Sequence, residues 1–278
     1  MVEEGARRLS RNHPLTHGTP LTKGNVRVKD ARKLSRRSER SGRRLFLADG
    51  PKAVEGALEV PECVVEVFAT PAATRQYADL ASAAPRWTLV DDAALASLSD
   101  SVTPAGVVAV CRFLDRPWVE LAETRPRLVA VCADVRDPGN AGTVIRCADA
   151  AGADAVVLAG QSVDPYNPKT VRASVGSLFH LPVAIERGPA GAVHTAQAAG
   201  LQVLAADGAG EVDLDEADEL LATPTAWLFG NEAWGLPADL ADLADHRVRI
   251  PIHGRAESLN LSTAAALCLY ASARVHRQ

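Results

Sequence analysis

The segment RLVAVCADVRDPGNAGTVIRCADAAGA, residues 127–153, decides the fold class. Its first nine residues are an apolar run of strand length, and a turn rich in Gly, Pro and Asn then opens a helical pattern that ends near Gly152. An apolar run without polar alternation is typical of a parallel strand that helices cover on both faces. We therefore predict the strand–turn–helix unit of an α/β domain.

The same alternation continues to the end of the chain. Further strand-like runs, separated by helix-length segments, lie at residues 155–159, 181–185, 202–206, 226–229 and 247–252. An alanine- and leucine-rich helix is predicted over 258–275. Residues 127–278 are thus predicted to form a parallel-sheet domain, and in such sheets ligands bind at the loops beyond the carboxyl ends of the strands.

A smaller α/β domain is predicted upstream, over residues 26–113. It is expected to open with a basic helix at residues 30–44 and to contain a helix over 73–84. The polar segment 114–126 holds two prolines and is predicted to be the linker between the domains. Residues 1–25 lack a hydrophobic period and are predicted to be a disordered basic leader.

Charge is distributed unevenly along the chain. Residues 1–44 carry 13 Lys/Arg and four Asp/Glu, whereas the rest of the chain carries 17 and 30. A basic arm on an acidic body suits the phosphate backbone of a nucleic acid. A solvated leader without a ligand is the alternative, and both can hold, since disordered basic segments order on RNA.

Composition excludes several classes of protein. The five cysteines are odd in number, scattered and without a CxxC pair, so we predict no metal, no disulfide framework and a reducing compartment. No apolar run approaches the roughly 20 residues of a membrane span, and the N-terminus lacks the apolar stretch of a secretion signal. A cytoplasmic protein is expected.

Three loops carry the candidate chemistry. In the first, Asn140 is placed to cap the helix and Arg146 to project from its first turns, where an arginine suits a phosphate or a developing anion. A capped helix with a surface arginine is the alternative. This loop lacks the GxGxxG pattern, which argues against a dinucleotide-binding site.

The second loop is LFGNEAWGLP, residues 228–237, in which Gly230 permits close approach of a ligand and Glu232 supplies a polar group. Its alternative is a tight turn capped by Asn231, and Trp234 is expected to pack rather than react.

The third is IPIHGRAESLNLSTAAALCLY, residues 250–270, where Ser258, Asn260 and Ser262 stand beside an apolar run that continues as a helix. Ser258 is an alternative cap for that helix. His253 is a candidate base, disfavoured because its HGRAES surroundings predict a flexible loop.

Together these three loops resemble the three motifs of the SpoU/TrmH family of RNA ribose 2′-O-methyltransferases, within the SPOUT superfamily. The matching patterns are NxGxxxR at 140–146, LFGNExxGLP at 228–237 and IPIxGxxxSLNxSxAxA at 250–266, in the family's order. PKTVRASVGSLFHLP at 168–182 resembles the stretch between the first two motifs. RRLFLADGPKAVEGAL at 43–58 resembles the start of the family's substrate-binding domain.

The resemblance implies S-adenosylmethionine as cofactor, a trefoil knot in the C-terminal domain, a homodimer, and a ribosomal-protein-like N-terminal domain that docks RNA. It implies that Gly230, Ile250 and Leu259 line the cofactor pocket, largely through backbone groups. Arg146 would be the catalytic arginine. The residues that would organise a site shared between subunits are Asn140, Glu232, Ser258 and Asn260.

By analogy with members that have a separate N-terminal domain, which more often resemble ribosomal RNA enzymes, the expected substrate is ribosomal RNA, specifically 23S rRNA. Transfer RNA is the nearest alternative. A non-catalytic RNA-binding or ribosome-assembly protein is another, against which the intact Arg146, Glu232 and Asn260 count. A nucleotide-dependent oxidoreductase is disfavoured by the absent glycine fingerprint.

Overall fold

The computed structural model describes residues 18–277, which form two α/β domains. The elements of the smaller domain are α1 (Val26–Arg32), α2 (Arg37–Arg43), β1 (Leu45–Asp49), α3 (Pro51–Glu59), β2 (Val64–Ala69), α4 (Pro71–Gln76), α5 (Ala78–Ala83), β3 (Trp87–Leu89), α6 (Asp92–Ala96) and β4 (Val107–Arg112). Its four strands lie in the order β1-β4-β2-β3. Strand β4 pairs antiparallel with β1 and β2, and β3 pairs parallel with β2.

Two predictions for this region are wrong in detail. The basic helix expected at 30–44 is broken by a 3₁₀ turn at Lys33–Ser35, and the helix expected at 73–84 is interrupted at Tyr77. The first break places Leu34 in the core of the small domain, where it is fully buried.

The predicted disordered leader lies mostly outside the described residues, which begin at Gly18. Its last part is structured: Leu21 pairs with Val90, and Asn25 caps α1. Val28, within α1, is fully buried. Residues 18–44 hold ten of the 13 Lys/Arg of the basic region, so most of its charge belongs to the folded domain.

The larger domain begins after the segment predicted to be a linker. Within that segment, α7 (Trp118–Glu123) packs on the sheet, and the Trp118 indole donates to the carbonyl of Ala192 at 3.1 Å. The remaining elements are β5 (Leu128–Ala133), α8 (Pro138–Ala151), β6 (Ala155–Ala159), α9 (Pro168–Ser174), α10 (Ser177–His180), β7 (Val183–Glu186), α11 (Pro189–Ala198), β8 (Gln202–Ala206), β9 (Val212–Asp213), α12 (Asp218–Leu221), β10 (Thr225–Phe229), α13 (Ala238–Ala241), β11 (His246–Arg249) and α14 (Leu261–His276).

All seven strands of the large sheet run parallel, in the order β7-β6-β5-β10-β8-β11-β9. One apolar layer packs α8 and α14 on one face, and a second packs α7, α11 and α13 on the other. The predicted fold class, a large parallel-sheet α/β domain with a smaller N-terminal α/β domain, is confirmed. From β5 the chain continues to β6 and β7 on one side of the sheet, whereas β10 lies on the other side of β5. The strand order therefore reverses between β5 and β10, and α/β sheets bind ligands at such a switch point.

A buried ion pair joins the two domains. The Arg40 side chain of α2, 2% exposed, donates from Nε and Nη2 to Asp164 Oδ2 at 3.0 and 2.7 Å, and Asp164 follows β6. Beside it, the Tyr166 hydroxyl donates to Asp115 Oδ1 at 2.8 Å and accepts from the backbone N–H of Leu114. Phe46 packs against the Tyr166 ring at 4.7 Å between centroids. The small domain is therefore held against the large one by polar and aromatic contacts.

Within residues 18–277, no helix has both the length and the apolar character needed to cross a membrane.

Candidate functional site

The loop after β5 begins the site, at the switch point of the sheet. Asp137 caps α8 by accepting the backbone N–H of Asn140 at 2.8 Å, so the predicted capping role of Asn140 is wrong. This hydrogen bond is the main cause that lowers the pKa of Asp137, and Lys169 contributes. Freed from capping, the Asn140 side chain is available to the neighbouring loops.

The loop after β10 closes into a tight five-residue turn. The backbones of Asn231 and Gly235 exchange two hydrogen bonds of 2.9 Å. A Cβ on Gly230 would stand 2.3 Å from the backbone carbon of Gly235, so only glycine fits here. The Asn231 side chain caps this turn, as the alternative had it, because its oxygen accepts the backbone N–H of Ala233 at 2.8 Å. Its amide also donates to the carbonyl of Asp134 and ties the loop to β5.

Trp234, expected to pack rather than react, packs against an arginine but is not buried. Its side chain is 53% exposed at the tip of this turn, and the Arg136 guanidinium lies over its ring at 5.1 Å.

The third segment, 250–260, runs from β11 to α14. Asn260 is the N-cap of α14 and accepts from the backbone N–H of Ser262 at 2.9 Å. The helix starts three residues later than predicted, and the proposed cap Ser258 is exposed before it. Asn260 rather than Ser258 caps the helix, because its backbone is extended and its side chain accepts the N–H of the residue two positions on.

A hydrogen-bonded chain of three side chains connects the loops. Glu232 accepts from the Asn140 amide at 3.3 Å, and Asn140 accepts from the Asn260 amide at 3.1 Å. The Glu232 carboxylate also accepts the backbone N–H groups of Arg136 and Asp137, at 3.4 and 3.2 Å. Residues distant in sequence thus meet at one point above β5 and β10.

A cavity of about 330 Å³ opens beside this chain, at the carboxyl ends of β8, β10 and β11. Gly230, Ile250 and Leu259, predicted to share a pocket, all line it, as do Glu232 and Ser258. Two carboxylates that the sequence analysis did not single out, Asp207 and Glu257, also line the cavity. The position of Asp207 directly after β8 was the available signal.

The cavity suits S-adenosylmethionine by its size and lining. Its volume is within the range of small-molecule sites. Phe229, Ile250 and Leu259 offer apolar surface for a purine ring, and Asp207 and Glu257 offer negative charge for a sulfonium and an ammonium.

Arg146 does not line this cavity. It is exposed on α8, six residues and therefore roughly 9 Å along the helix axis from Asn140. His253 is also exposed and does not line the cavity. The structure brings the other predicted site residues together and leaves Arg146 on the adjoining surface.

The nearest cysteine lies beneath the site. Burial raises the pKa of the Cys132 thiol to about 12, and the Glu232 carboxylate adds to the shift. A thiol with so high a pKa is neutral and unreactive near neutral pH.

Comparisons with known proteins identify both domains. Residues 127–270 match the model of the SpoU rRNA Methylase family, and residues 25–109 match that of the MRM3-like substrate binding domain. The chain is 36% identical over 249 residues to the 23S rRNA (guanosine(2553)-2′-O)-methyltransferase RlmP of Bacillus subtilis, covering 88% of this chain and 95% of that protein. It is 41% identical over 140 residues to the 23S rRNA (uridine(2479)-2′-O)-methyltransferase of Streptomyces viridochromogenes, covering 49% of each.

Two solved methyltransferase structures are also similar to this chain. The AdoMet-bound rRNA methyltransferase from Sinorhizobium meliloti superimposes with a TM-score of 0.78 at 34% identity, covering 90% of this chain and 95% of that one. The SpoU methyltransferase AviRb from Streptomyces viridochromogenes, in complex with AdoMet, gives 0.79 at 30%, covering 90% and 98%.

Proposed function

The chain belongs to the SpoU rRNA methylase family, and we propose that it methylates a ribose 2′-hydroxyl of ribosomal RNA with S-adenosylmethionine, the substrate being 23S rRNA. The observation that carries this proposal is that the second and third family motifs line one cavity at the switch point of the sheet, and that Asn140 of the first motif is hydrogen-bonded to both. Two relatives whose names specify 23S rRNA support the choice of substrate.

The cofactor would bind among Gly230, Ile250 and Leu259. When bound, S-adenosylmethionine supplies a methyl group activated by a sulfonium. Gly230 lets the backbone of its turn approach the ligand, and Ile250 and Leu259 exclude water. Positioning of this kind is a large source of rate, because aligned reactants reach high effective molarities.

Arg146 would act on the RNA. A guanidinium with a pKa above about 12 is a poor base near neutral pH. We propose instead that Arg146 binds the phosphate next to the target ribose and stabilises the alkoxide that develops as the hydroxyl loses its proton. An RNA phosphate or water would accept that proton.

Glu232, Asn140 and Asn260 would hold the three loops in register through their hydrogen-bonded chain. Ser258, exposed at the cavity edge, would offer a hydroxyl to the substrate or the cofactor.

We also propose that the enzyme is a homodimer that completes the site. Leu267 and Tyr270 of α14 are exposed by 44% and 52%, on the helix that packs against the Arg146-bearing α8. A second copy covering this face would bury their apolar surface and bring Arg146 to the partner's cavity. Tyr270→Glu should give a monomer by light scattering that has lost methyl transfer; an active monomer would contradict the shared site.

The trefoil knot also remains a proposal. Asn260 reaches Asn140 of α8, and α14 then packs against α8, β5 and β10, so the last helix returns past the loops that follow the central strands. Such a return is required for a knotted C-terminal domain, although chains rarely thread. Ribosomal RNA as substrate further leads us to propose a cytoplasmic location.

Methyl transfer from labelled S-adenosylmethionine to purified 23S rRNA and to transfer RNA tests the function directly. We expect label in 23S rRNA, at a position found by mapping 2′-O-methyl groups in cells with and without the gene. Label only in transfer RNA would replace the substrate. Cofactor binding without transfer to either RNA would favour a non-catalytic role.

A further inference from the structure

A second cavity, of about 220 Å³, lies at the junction of the two domains. Arg37, Ser41 and Arg44, from α2 and its C-cap, form one wall. The opposite wall comes from the end of β6 and the loop after it, with Gly160, Ser162 and Asp164. Phe113 and Ile185 are among the remaining lining residues. We call this the junction cavity.

The wall from α2 follows from helical spacing. Arg37 and Ser41 are spaced i and i+4, which places them on one face of α2, and Arg44 follows at the C-cap, where the backbone is left-handed. Arg40 lies on the same side and is fixed by Asp164, and its Nη1 also donates to the carbonyls of Leu34 and Ser35. The buried ion pair thus holds the basic face of α2 over the large sheet.

The available charge in the junction cavity is positive. Asp164 is already satisfied by Arg40 and by the backbone N–H of Tyr166. Arg44 pairs with Asp115 at 3.2 Å and lies over the Phe113 ring. Over residues 18–277, no carboxylate lies within ion-pair distance of Arg37. An arginine with free donors next to a serine hydroxyl suits a phosphate oxygen.

The junction cavity lies at the same edge of the large sheet as the cofactor cavity. It opens at the carboxyl ends of β6 and β7, and the cofactor cavity opens at those of β8, β10 and β11. From β6 to β10 is two strand spacings, roughly 10 Å. The chain of Glu232, Asn140 and Asn260 lies between the two cavities.

From these observations we propose that the junction cavity binds a phosphodiester of the substrate RNA, a few nucleotides from the methylated ribose. Arg37 and Ser41 contact the phosphate, and Arg44, whose charge Asp115 balances, lines the wall beside them. The Arg40–Asp164 pair sets the distance between this phosphate site and the cofactor cavity. The inference rests on the proposed function, because it takes RNA to be the substrate.

The sharpest test compares two serines one turn apart on α2. Ser41 lines the junction cavity, whereas Ser38 is exposed and does not. Ser41→Asp and Ser38→Asp make the same change of net charge, so long-range repulsion of RNA is nearly matched. We expect Ser41→Asp to weaken binding of a mixed-sequence 12-nucleotide RNA by about tenfold more than Ser38→Asp does. Equal losses would overturn the phosphate site.

A second pair of variants uses salt. Arg37→Ala should lower the slope of log Kd against log salt by about 0.7, the value for one phosphate of a single strand. Arg127→Ala removes an exposed arginine at the opposite edge of the sheet and should keep the wild-type slope. A slope for Arg37→Ala equal to that of Arg127→Ala would contradict the proposal.

Further measurements distinguish a failure of the phosphate site from misfolding and from a failure of the proposed function. S-adenosylmethionine affinity, measured by calorimetry, should be unchanged in all four variants, which shows that the fold is intact. Arg37→Ala should raise the KM for 23S rRNA and leave kcat unchanged; a changed kcat with an unchanged KM would contradict an RNA-binding role.

If inorganic phosphate alone at constant ionic strength displaces the 12-mer equally from wild type and Arg37→Ala, the cavity does not hold the RNA phosphate. If the wild-type protein neither binds S-adenosylmethionine nor methylates RNA, the proposed function fails rather than this site.

Discussion

The cofactor cavity and the junction cavity open at the same edge of one sheet but are built from different materials. The first is lined by a tight backbone turn, apolar side chains and carboxylates, with Gly230, Ile250 and Asp207 as examples. The second is walled by arginine and serine side chains of a short helix from the other domain. The difference matches the two ligands: a small organic cation needs shape and negative charge, whereas an RNA strand needs positive charge.

The largest effect is expected when the buried Arg40–Asp164 pair beneath the junction cavity is broken. Arg40→Met leaves Asp164 buried without its partner and should lower the free energy of unfolding by about 3–5 kcal/mol. Denaturant titration measures it, and Arg40→Met/Asp164→Leu should recover most of the loss. Arg274→Met, which breaks the exposed pair with Asp218, is the control and should cost less than about 1 kcal/mol. Equal costs for the two arginines would mean that the junction pair does not hold the domains together.

Removal of Arg146 should have the next largest effect, and on catalysis rather than folding. Arg146→Ala should lower kcat by about 100- to 1,000-fold, the range for loss of one group that stabilises a developing anion. S-adenosylmethionine affinity should be unchanged, since Arg146 does not line the cofactor cavity. Arg146→Lys keeps the charge but loses the forked donor geometry. Near-full activity of this variant would remove the argument for a guanidinium contact.

Gly230→Ala tests the backbone turn of the cofactor cavity. The new Cβ would overlap the backbone of Gly235, and relief by movement of the turn should cost about 1–3 kcal/mol of cofactor binding, or 5- to 150-fold in Kd. Calorimetry with S-adenosylmethionine measures this loss. Gly191→Ala, on α11 with nothing within 4 Å of its Cβ, should bind the cofactor normally. An unaffected Gly230→Ala enzyme would separate the turn from the cofactor.

Asn140→Ala should have a smaller effect, about 1 kcal/mol or five- to tenfold in kcat/KM. It removes the middle of the chain from Glu232 to Asn260 but leaves the Asp137 cap of α8 in place. A loss as large as that of Arg146→Ala would mean that Asn140 contacts the reacting atoms.

Deletion of residues 1–17 should have the smallest effect. This segment carries three of the 13 Lys/Arg of the basic region and two of its four acidic residues. Its removal should weaken RNA binding and the salt slope only slightly and leave cofactor affinity unchanged. A deletion that extends to residue 30 would remove the buried Val28 and is therefore unsuitable. A loss of RNA affinity larger than that of Arg37→Ala would move the main phosphate contacts to the leader.

Much of the larger domain is predictable from the sequence because its signals are local. Six of its seven strands overlap predicted strands, and five of them are apolar runs, since a parallel strand covered on both faces needs no polar alternation. The sixth, β11, is HRVR, which overlaps only the start of the predicted strand at 247–252. The strand missed is β9, whose two residues, Val212–Asp213, are too short to show a pattern. Helix starts were less accurate, because Asp137, Asn140, Ser258 and Asn260 are all acceptable caps by type and only the backbone conformation selects among them.

Local patterns were enough to show that three polar loops follow parallel strands, and therefore that the loops lie at one edge of a sheet. Three features required the folded structure: the strand order that joins β5 to β10, the contact of Asn140 with Asn260, and the pairing of Arg40 with Asp164. Hydrophobic period and capping preference act over a few residues, whereas these contacts join residues roughly 100 or more positions apart. Such contacts depend on how whole layers pack, which no local pattern records.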